Sequence, residues 1–327
     1  MRTPNRTWKI NGSWKTRLGA IVLAGFLLLT PTACPLTFTL RELDAATRAD
    51  ITAVAAAVDT TSIAQLLVDI NNSRSTRTAC RDQAVALFSA AGYLAVVDTL
   101  DGHQNIVAEL PGTEPLTRPV FVQAHWDWVY APAMDDNASG MAGVIETARV
   151  LAASGLQFRR TIRFILFDHE EQGRLGSTAY AAGLTPAVLP DFFVNYDMIG
   201  YTQAGPDSLC PVARQQAGNY IAVFAPEWAA ESVAEFARDA RLFVPALRFY
   251  AATLPGDYAQ APLLDNATRS DNEPFWDRRV HGLFCTTADR NPHYHTPQDT
   301  LDTLDIGFLS RVVQAGLACI CVRAELH

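Results

Sequence analysis

Three short apolar runs in this chain end against side chains that carry charge or an imidazole. Residues 120–124 are followed by His125, residues 161–167 by Asp168, His169, Glu170 and Glu171, and residues 192–196 by Asp197. The runs are rich in branched and aromatic residues, which suits β-strands. Helix-patterned stretches separate them, and strands that alternate with helices build a mainly parallel mixed sheet flanked by helices on both faces. In open α/β sheets, sites form outside the carboxyl ends of the strands. The expected fold therefore gathers these side chains on one rim, joined by His295 from a loop beyond a short strand at 283–286.

The remaining pattern fills in that architecture. Helices are expected over 44–58, 62–70, 77–91 (stopped by Gly92), 139–154 (ended at Gly155), 227–241 (opened by Pro226) and 304–323. Further strands are expected at 105–109, 220–224 and 246–250. No internal repeat or low-complexity run interrupts the series.

The first residues read differently. Arg2, Arg6, Lys9, Lys15 and Arg17 precede the apolar run 18–29, the pattern of a secretory signal. That run is short for a membrane span. Thr32-Ala33-Cys34 resembles a bacterial lipobox, with Pro31 where Leu is usual. Two outcomes stay open: a lipid anchor to the membrane at Cys34, or cleavage nearby and release. We therefore expect residues 1–33 to be a signal peptide, residues 35–327 to form one catalytic domain, and the chain to be exported from a bacterial cell, to the cell envelope and periplasm or to the medium. Removing the five leader charges takes the formal charge from −8 to −13, and no basic cluster remains. An acidic surface of this kind excludes nucleic acid as the partner.

Beyond Cys34 there are five cysteines, Cys80, Cys210, Cys285, Cys319 and Cys321, so one thiol stays unpaired if Cys34 carries lipid. An oxidising compartment permits a disulfide, but spacing does not choose the pair. Cys319-Ile320-Cys321 has no second pair and lies on an apolar helix, which reads as core.

The polar segments carry metal chemistry. His125, Asp136, Glu171, Asp197 and His295 supply two imidazoles and three carboxylates, the set a pair of zinc ions needs if one carboxylate bridges them. Asp127, two residues after His125, is placed to support that ring through its second nitrogen. Asp135-Asp136-Asn137 opens a helix, where a cap needs only one such residue. Glu170 and Glu171 are adjacent acids after an apolar strand, and such a pair repels unless a cation or proton lies between them. Glu171 then binds metal, and Glu170 is the general base. His169 is a second donor in the segment, ranked below Glu171. In Asn291-Pro292-His293-Tyr294-His295-Thr296-Pro297, Tyr294 offers a phenol to a developing oxyanion. Asp299 either orients His295 or caps the last helix.

From about Ala79 to the C-terminus, the ordered set H-x-D, D-N-x-S-G, E-E-x-G, D-M-I-G and Y-H-T-P-x-D-T resembles the bacterial di-zinc aminopeptidase family of leucyl aminopeptidases and aminopeptidase Y. Glutamate carboxypeptidase, the glutaminyl cyclases and the catalytically silent transferrin receptor are relatives of that family. The resemblance implies the zinc exopeptidase fold of the phosphorylase/hydrolase-like type. It implies that His125 and Asp197 hold one zinc, that Glu171 and His295 hold the other, and that Asp136 bridges. Glu170 then corresponds to the general base and Tyr294 to an oxyanion donor. The chain departs from the pattern at Pro132-Ala133-Met134, where Pro-Gly-Ala is usual, and at Ser270-Asp271-Asn272, where S-D-H is usual.

The function expected is removal of the N-terminal residue from a peptide with a free amine, by water activated at two zinc ions per chain. Two rivals stand beside it: a glutaminyl-cyclase-like acyltransferase on the same fold, which would use one zinc, and a silent receptor-like binding protein.

Overall fold

β3 (Val120–His125) and β5 (Phe192–Tyr196) are buried along their whole length, and β4 (Ile162–Phe167) is nearly so. Strands covered on both faces cannot alternate apolar with polar, which is why these segments read as continuous apolar runs. In the computed structural model, residues 40–206, 217–255, 269–287 and 291–326 are described. The expected signal peptide, the expected lipobox at Cys34, and Cys210 lie outside the described residues.

The three strands are the centre of an eight-stranded sheet. Its other members are β1 (Val96–Leu100), β2 (His103–Leu110), β8 (Ile221–Pro226), β9 (Phe249–Leu254) and β10 (His281–Thr286), in the order β1-β2-β4-β3-β5-β10-β8-β9. A two-stranded ribbon, β6 (Gln203–Pro206) with β7 (Ala217–Gly218), stands apart. Pairings β4-β3, β3-β5, β5-β10 and β8-β9 are parallel, and β1-β2, β2-β4 and β10-β8 are antiparallel. The sheet is thus mixed and mainly parallel, of the α/β class expected.

Alternate residues of the central strands feed two cores. Val120, Val122 and Ala124 face one layer, built largely from α1 (Ala45–Ala56), α2 (Thr60–Ser73), α3 (Arg77–Ala90), α4 (Gly140–Ser154), α6 (Ala230–Phe243) and α8 (Ile306–Arg323). Phe121, Ile165, Phe167 and Phe193 face the other, with Tyr180 from α5 (Leu175–Gly183) and Phe275 and Trp276 from α7 (Glu273–Asp277). Local chemistry sets several ends. Asp44, Asp59, Thr76 and Asp305 each cap a helix by accepting from a backbone N–H of its first turn. Gly155 closes α4 at φ 66°, a left-handed position that suits glycine.

α8 is apolar enough to cross a membrane by composition, but it is mostly buried among the other helices as a core helix. Its Cys319 and Cys321 are free buried thiols, as are Cys80 and Cys285. Gly316 lets α8 lie against β5, since a Cβ there would overlap the Tyr196 hydroxyl. The residue after Tyr196 is Asp197, so this close packing helps fix the end of the strand.

Some elements differ from expectation. β1 is an edge strand, half exposed and interrupted by Asp98 and Thr99, so no apolar run announces it. α5 and α7 were not expected. α5 is a short, glycine-flanked helix. Its Gly176 N–H donates to Asp168 O at 2.9 Å, and a Cβ there would overlap that backbone, so contact with the β4 exit holds it. The strand expected at 246–250 begins only at Phe249, and α6 begins at Ala230 after a single tight turn, Glu227–Ala229.

Candidate metal centre and active site

All five expected ligand side chains reach one rim of the sheet. His125 is the last residue of β3 rather than the residue after it. Glu170 and Glu171 leave β4, and Asp197 leaves β5, with its N–H donating to Cys285 O at 3.1 Å. Asp136 comes from the turn Met134–Ser139 that opens α4. His295, at φ 54°, comes from the loop before α8.

Their donor atoms converge. His125 Nε2 lies 3.3 Å from Asp136 Oδ1 and 3.8 Å from Asp197 Oδ1. On the other side of Asp136, His295 Nε2 lies 3.1 Å from Asp136 Oδ2 and 3.0 Å from Glu171 Oε2. Asp136 thus offers one oxygen to each imidazole. The groups His125–Asp136–Asp197, Asp136–Glu171–His295 and His125–Glu170–Glu171 each keep their donor atoms within 4.8 Å of one another. Atoms bound to one zinc at roughly 2 Å lie within about 4 Å of each other, so these separations suit a shared ion.

A buried framework holds them. Asp127 is fully buried behind His125, with Oδ1 3.5 Å from His125 Nδ1. Its carboxylate also accepts from Glu170 N at 3.0 Å and Glu171 N at 3.2 Å. Asn137 Nδ2 donates to Tyr196 O at 2.9 Å, while its Oδ1 accepts from Gly140 N at 2.9 Å and Met198 N at 3.3 Å, which ties the Asp136 turn to the end of β5. Gly140 has no room for a Cβ beside that amide. Buried Arg74 donates to Pro132 O at 3.0 Å and Ala133 O at 2.9 Å, holding the approach to the same turn. Arg77 pairs with Asp168, lies 4.8 Å from the Trp126 ring and reaches within 3.9 Å of Asp127.

Two acids serve this framework in ways the sequence did not reveal. Asp299 neither orients His295 nor caps the last helix, which Asp305 does. It accepts from Asp135 N at 3.0 Å and Asp136 N at 3.0 Å, and from Asn291 Nδ2 at 3.4 Å. Asp135 is buried and accepts from Gly200 N at 2.8 Å, Tyr201 N at 3.2 Å and Asn291 Nδ2 at 3.1 Å. The acidic run 135–136 was the available signal for Asp135; nothing in the sequence assigned amide acceptance to Asp299. His169 does not join the centre. It turns toward His103, with Nδ1 atoms 3.2 Å apart. Asp271, in the segment where S-D-H is usual, is fully buried and close enough to raise the Glu170 pKa. Tyr294 stacks on His295 at 3.7 Å between ring centroids and is 39% exposed, so its phenol borders the centre from the solvent side.

The electrostatics ask for positive charge. Burial pushes Glu170 well above the usual carboxylate range, helped by Asp271, Asp197 and Glu171. Burial raises Glu171 as well. It pushes Asp135 and Asp271 each to about 7. The imidazoles move the other way from their burial. Desolvation works to lower His125 and His295, but neighbouring carboxylates more than offset it, and His295 is lifted to about 9. Buried carboxylates in such number need compensation beyond two imidazoles. Glu171 Oε1 is buried without a hydrogen-bond partner, and His295 Nε2, close to two carboxylates, makes no directed hydrogen bond to either. These donors point at a common space, and an N/O donor set of this kind fits zinc.

Comparison with known proteins gives the class. Residues 105–320 match Peptidase family M28. The protein YfbL of Escherichia coli K12 is 28% identical over 239 residues, covering 64% of this chain and 68% of YfbL. Aminopeptidase YwaD of Bacillus subtilis is 29% identical over 202 residues, covering 60% of this chain and 38% of YwaD. The chain thus spans about two thirds of the first relative and well under half of the second. Among solved structures, the LapA aminopeptidase of Legionella pneumophila superposes with a TM-score of 0.68 at 19% identity, over 88% of this chain and 78% of that one. BSAP, a zinc aminopeptidase from Bacillus subtilis, gives 0.54 at 25% identity, over 67% and 49%. Glutaminyl cyclase of Porphyromonas gingivalis gives 0.58 at 17%, over 80% and 97%. With two thirds of its length matched, the chain belongs to peptidase family M28.

Proposed function

We propose that the protein is a zinc-dependent aminopeptidase. The observation that carries this reading is the pair of donor triads sharing Asp136, with the Glu170 carboxylate beside them. His125 and Asp197 would hold one zinc, Glu171 and His295 the other, and Asp136 would bridge. When bound, two zinc ions lower the pKa of a water and polarise the scissile carbonyl.

The chain's own groups do the rest. Glu170 accepts the water proton and passes it to the leaving amine. Its buried, electronegative surroundings raise its proton affinity, and the positive charge of bound zinc would counter that rise and keep it able to accept a proton. Asp127 holds Glu170 and Glu171 through their backbone N–H groups, so base and ligand keep a fixed spacing. Tyr294, on the solvent side of His295, offers its phenol to the developing oxyanion. The surplus of carboxylates receives the free N-terminal amine of a peptide, which favours an exopeptidase.

Metal analysis combined with aminoacyl chromogenic amides, each with free and blocked amines, tests the reading. Two zincs per chain and turnover of free amines support it. Turnover of blocked amines alone refutes exopeptidase action. One zinc with pyroglutamate formation would assign the cyclase chemistry instead, and absence of bound zinc would favour the silent binding protein. We further propose that the chain is exported, on the strength of the leader at residues 1–33. Cell fractionation of the wild type and a Cys34→Ala variant separates a lipid-anchored from a released form.

A further inference from the structure

We infer that His103 and His169 form a third cation site, separate from the dinuclear centre, for a borderline transition-metal ion such as Zn2+ or Cu2+. The inference does not depend on the aminopeptidase reading.

The two rings come from neighbouring strands. His103 opens β2 directly after the Asp101-Gly102 turn, and His169 leaves β4, which pairs with β2. His169 sits at φ 55°, a left-handed conformation uncommon for a residue with a Cβ. That conformation accompanies a ring directed at His103 instead of at the centre served by Glu170 and Glu171. The Nδ1 atoms face each other at 3.2 Å, with ring planes 66° apart. Two nitrogens on one tetrahedral zinc, each bonded at roughly 2.0–2.1 Å, lie about 3.3 Å apart.

A carboxylate stands beside the pair. His169 Nδ1 also lies 2.9 Å from Asp168 Oδ2. Asp168 is held in place: it pairs with Arg77, accepts from Gln104 N at 2.8 Å and accepts from His169 N at 3.0 Å. A cation between the two nitrogens would take both lone pairs, with the Asp168 carboxylate beside it as a charged outer partner. Both rings are half-buried, so solvent ions reach them and water can complete the coordination. Such an ion would clip the β1-β2 hairpin to the loop that carries Glu170 and Glu171.

The test uses the full protein with its two tight sites first loaded with zinc. It is then equilibrated with one further equivalent of Cu2+, with zinc retention checked by mass spectrometry. The expected result is one additional Cu2+ per chain, an electron paramagnetic resonance spectrum showing imidazole nitrogen coupling, and a thermal midpoint raised by the added ion. His103→Gln should weaken that site at least tenfold while leaving the two tightly bound zincs in place. Equal Cu2+ affinity in wild type, His103→Gln and His169→Gln overturns the inference, as does a wild-type spectrum without nitrogen coupling. Failure of the dinuclear reading is read separately, from the zinc count before copper is added.

Discussion

Asp127 Oδ1 accepts the backbone N–H of Glu170 at 3.0 Å. The same oxygen lies 3.5 Å from His125 Nδ1. One buried carboxylate thus couples the end of β3 to the exit of β4, so ring orientation and loop position are set together. Asp127→Asn keeps the shape but puts an amide N–H opposite donors. Metal affinity should fall roughly 10- to 100-fold, the range for outer partners of metal ligands. Competition against a chelator measures this, and unchanged affinity would remove Asp127 from the framework.

Glu170→Gln should leave two zincs bound and lower kcat by about 10²- to 10⁴-fold, the usual contribution of a positioned proton acceptor. Paired metal counts and steady-state rates decide it. A variant with wild-type kcat would mean that another group takes the proton.

Asp299→Ala should unfold more readily. Asp299 accepts from two buried backbone N–H groups, those of Asp135 and Asp136, and alanine leaves both without an acceptor. Each stranded donor costs on the order of 1–3 kcal/mol. Urea unfolding of zinc-loaded protein reads the loss; a change below about 0.5 kcal/mol would show that water or a neighbour replaces the carboxylate.

Asp239 predicts a pH effect far from the metal centre. It lies fully buried on α6, accepts from Arg238 Nε at 2.7 Å, and has its other oxygen unpartnered. Burial raises its pKa from 3.8 to about 6. The folded state therefore holds this proton more tightly than the unfolded chain does. The stability linked to it is present below pH 3.8 and is lost as pH rises through about 6. Asp239→Asn should be the more stable protein at pH 7, by on the order of 1–3 kcal/mol. The advantage should vanish near pH 4. Comparing the two proteins at each pH cancels effects common to both, and a pH-independent difference would contradict the linkage.

Much of the candidate site was legible because its signals are local. A strand that ends at His125, Phe167 or Tyr196 announces itself by branched and aromatic residues, and the polar residues that follow stand out against it. The cap residues Asp44, Thr76 and Asp305 were less informative in advance, since each acts only once a helix has formed. β1, α5 and α7 escaped because an exposed edge, a glycine-flanked helix and a single short turn carry little periodic signal. His169, two positions before Glu171 and ranked below it as a donor, has its ring sent elsewhere by its left-handed backbone.

The sequence by itself determined the class of fold, pointed to five candidate ligands and placed four of them on one rim, because side-chain alternation and strand-end position are properties of neighbours in the chain. Tertiary structure decided the division of labour among the acids. Asp299 finds the amides of Asp135 and Asp136 across 164 and 163 residues. Asp127 finds the amides of Glu170 and Glu171 across 43 and 44. Acceptance by a carboxylate depends on where a distant backbone N–H comes to rest, and that is fixed only when the layers pack.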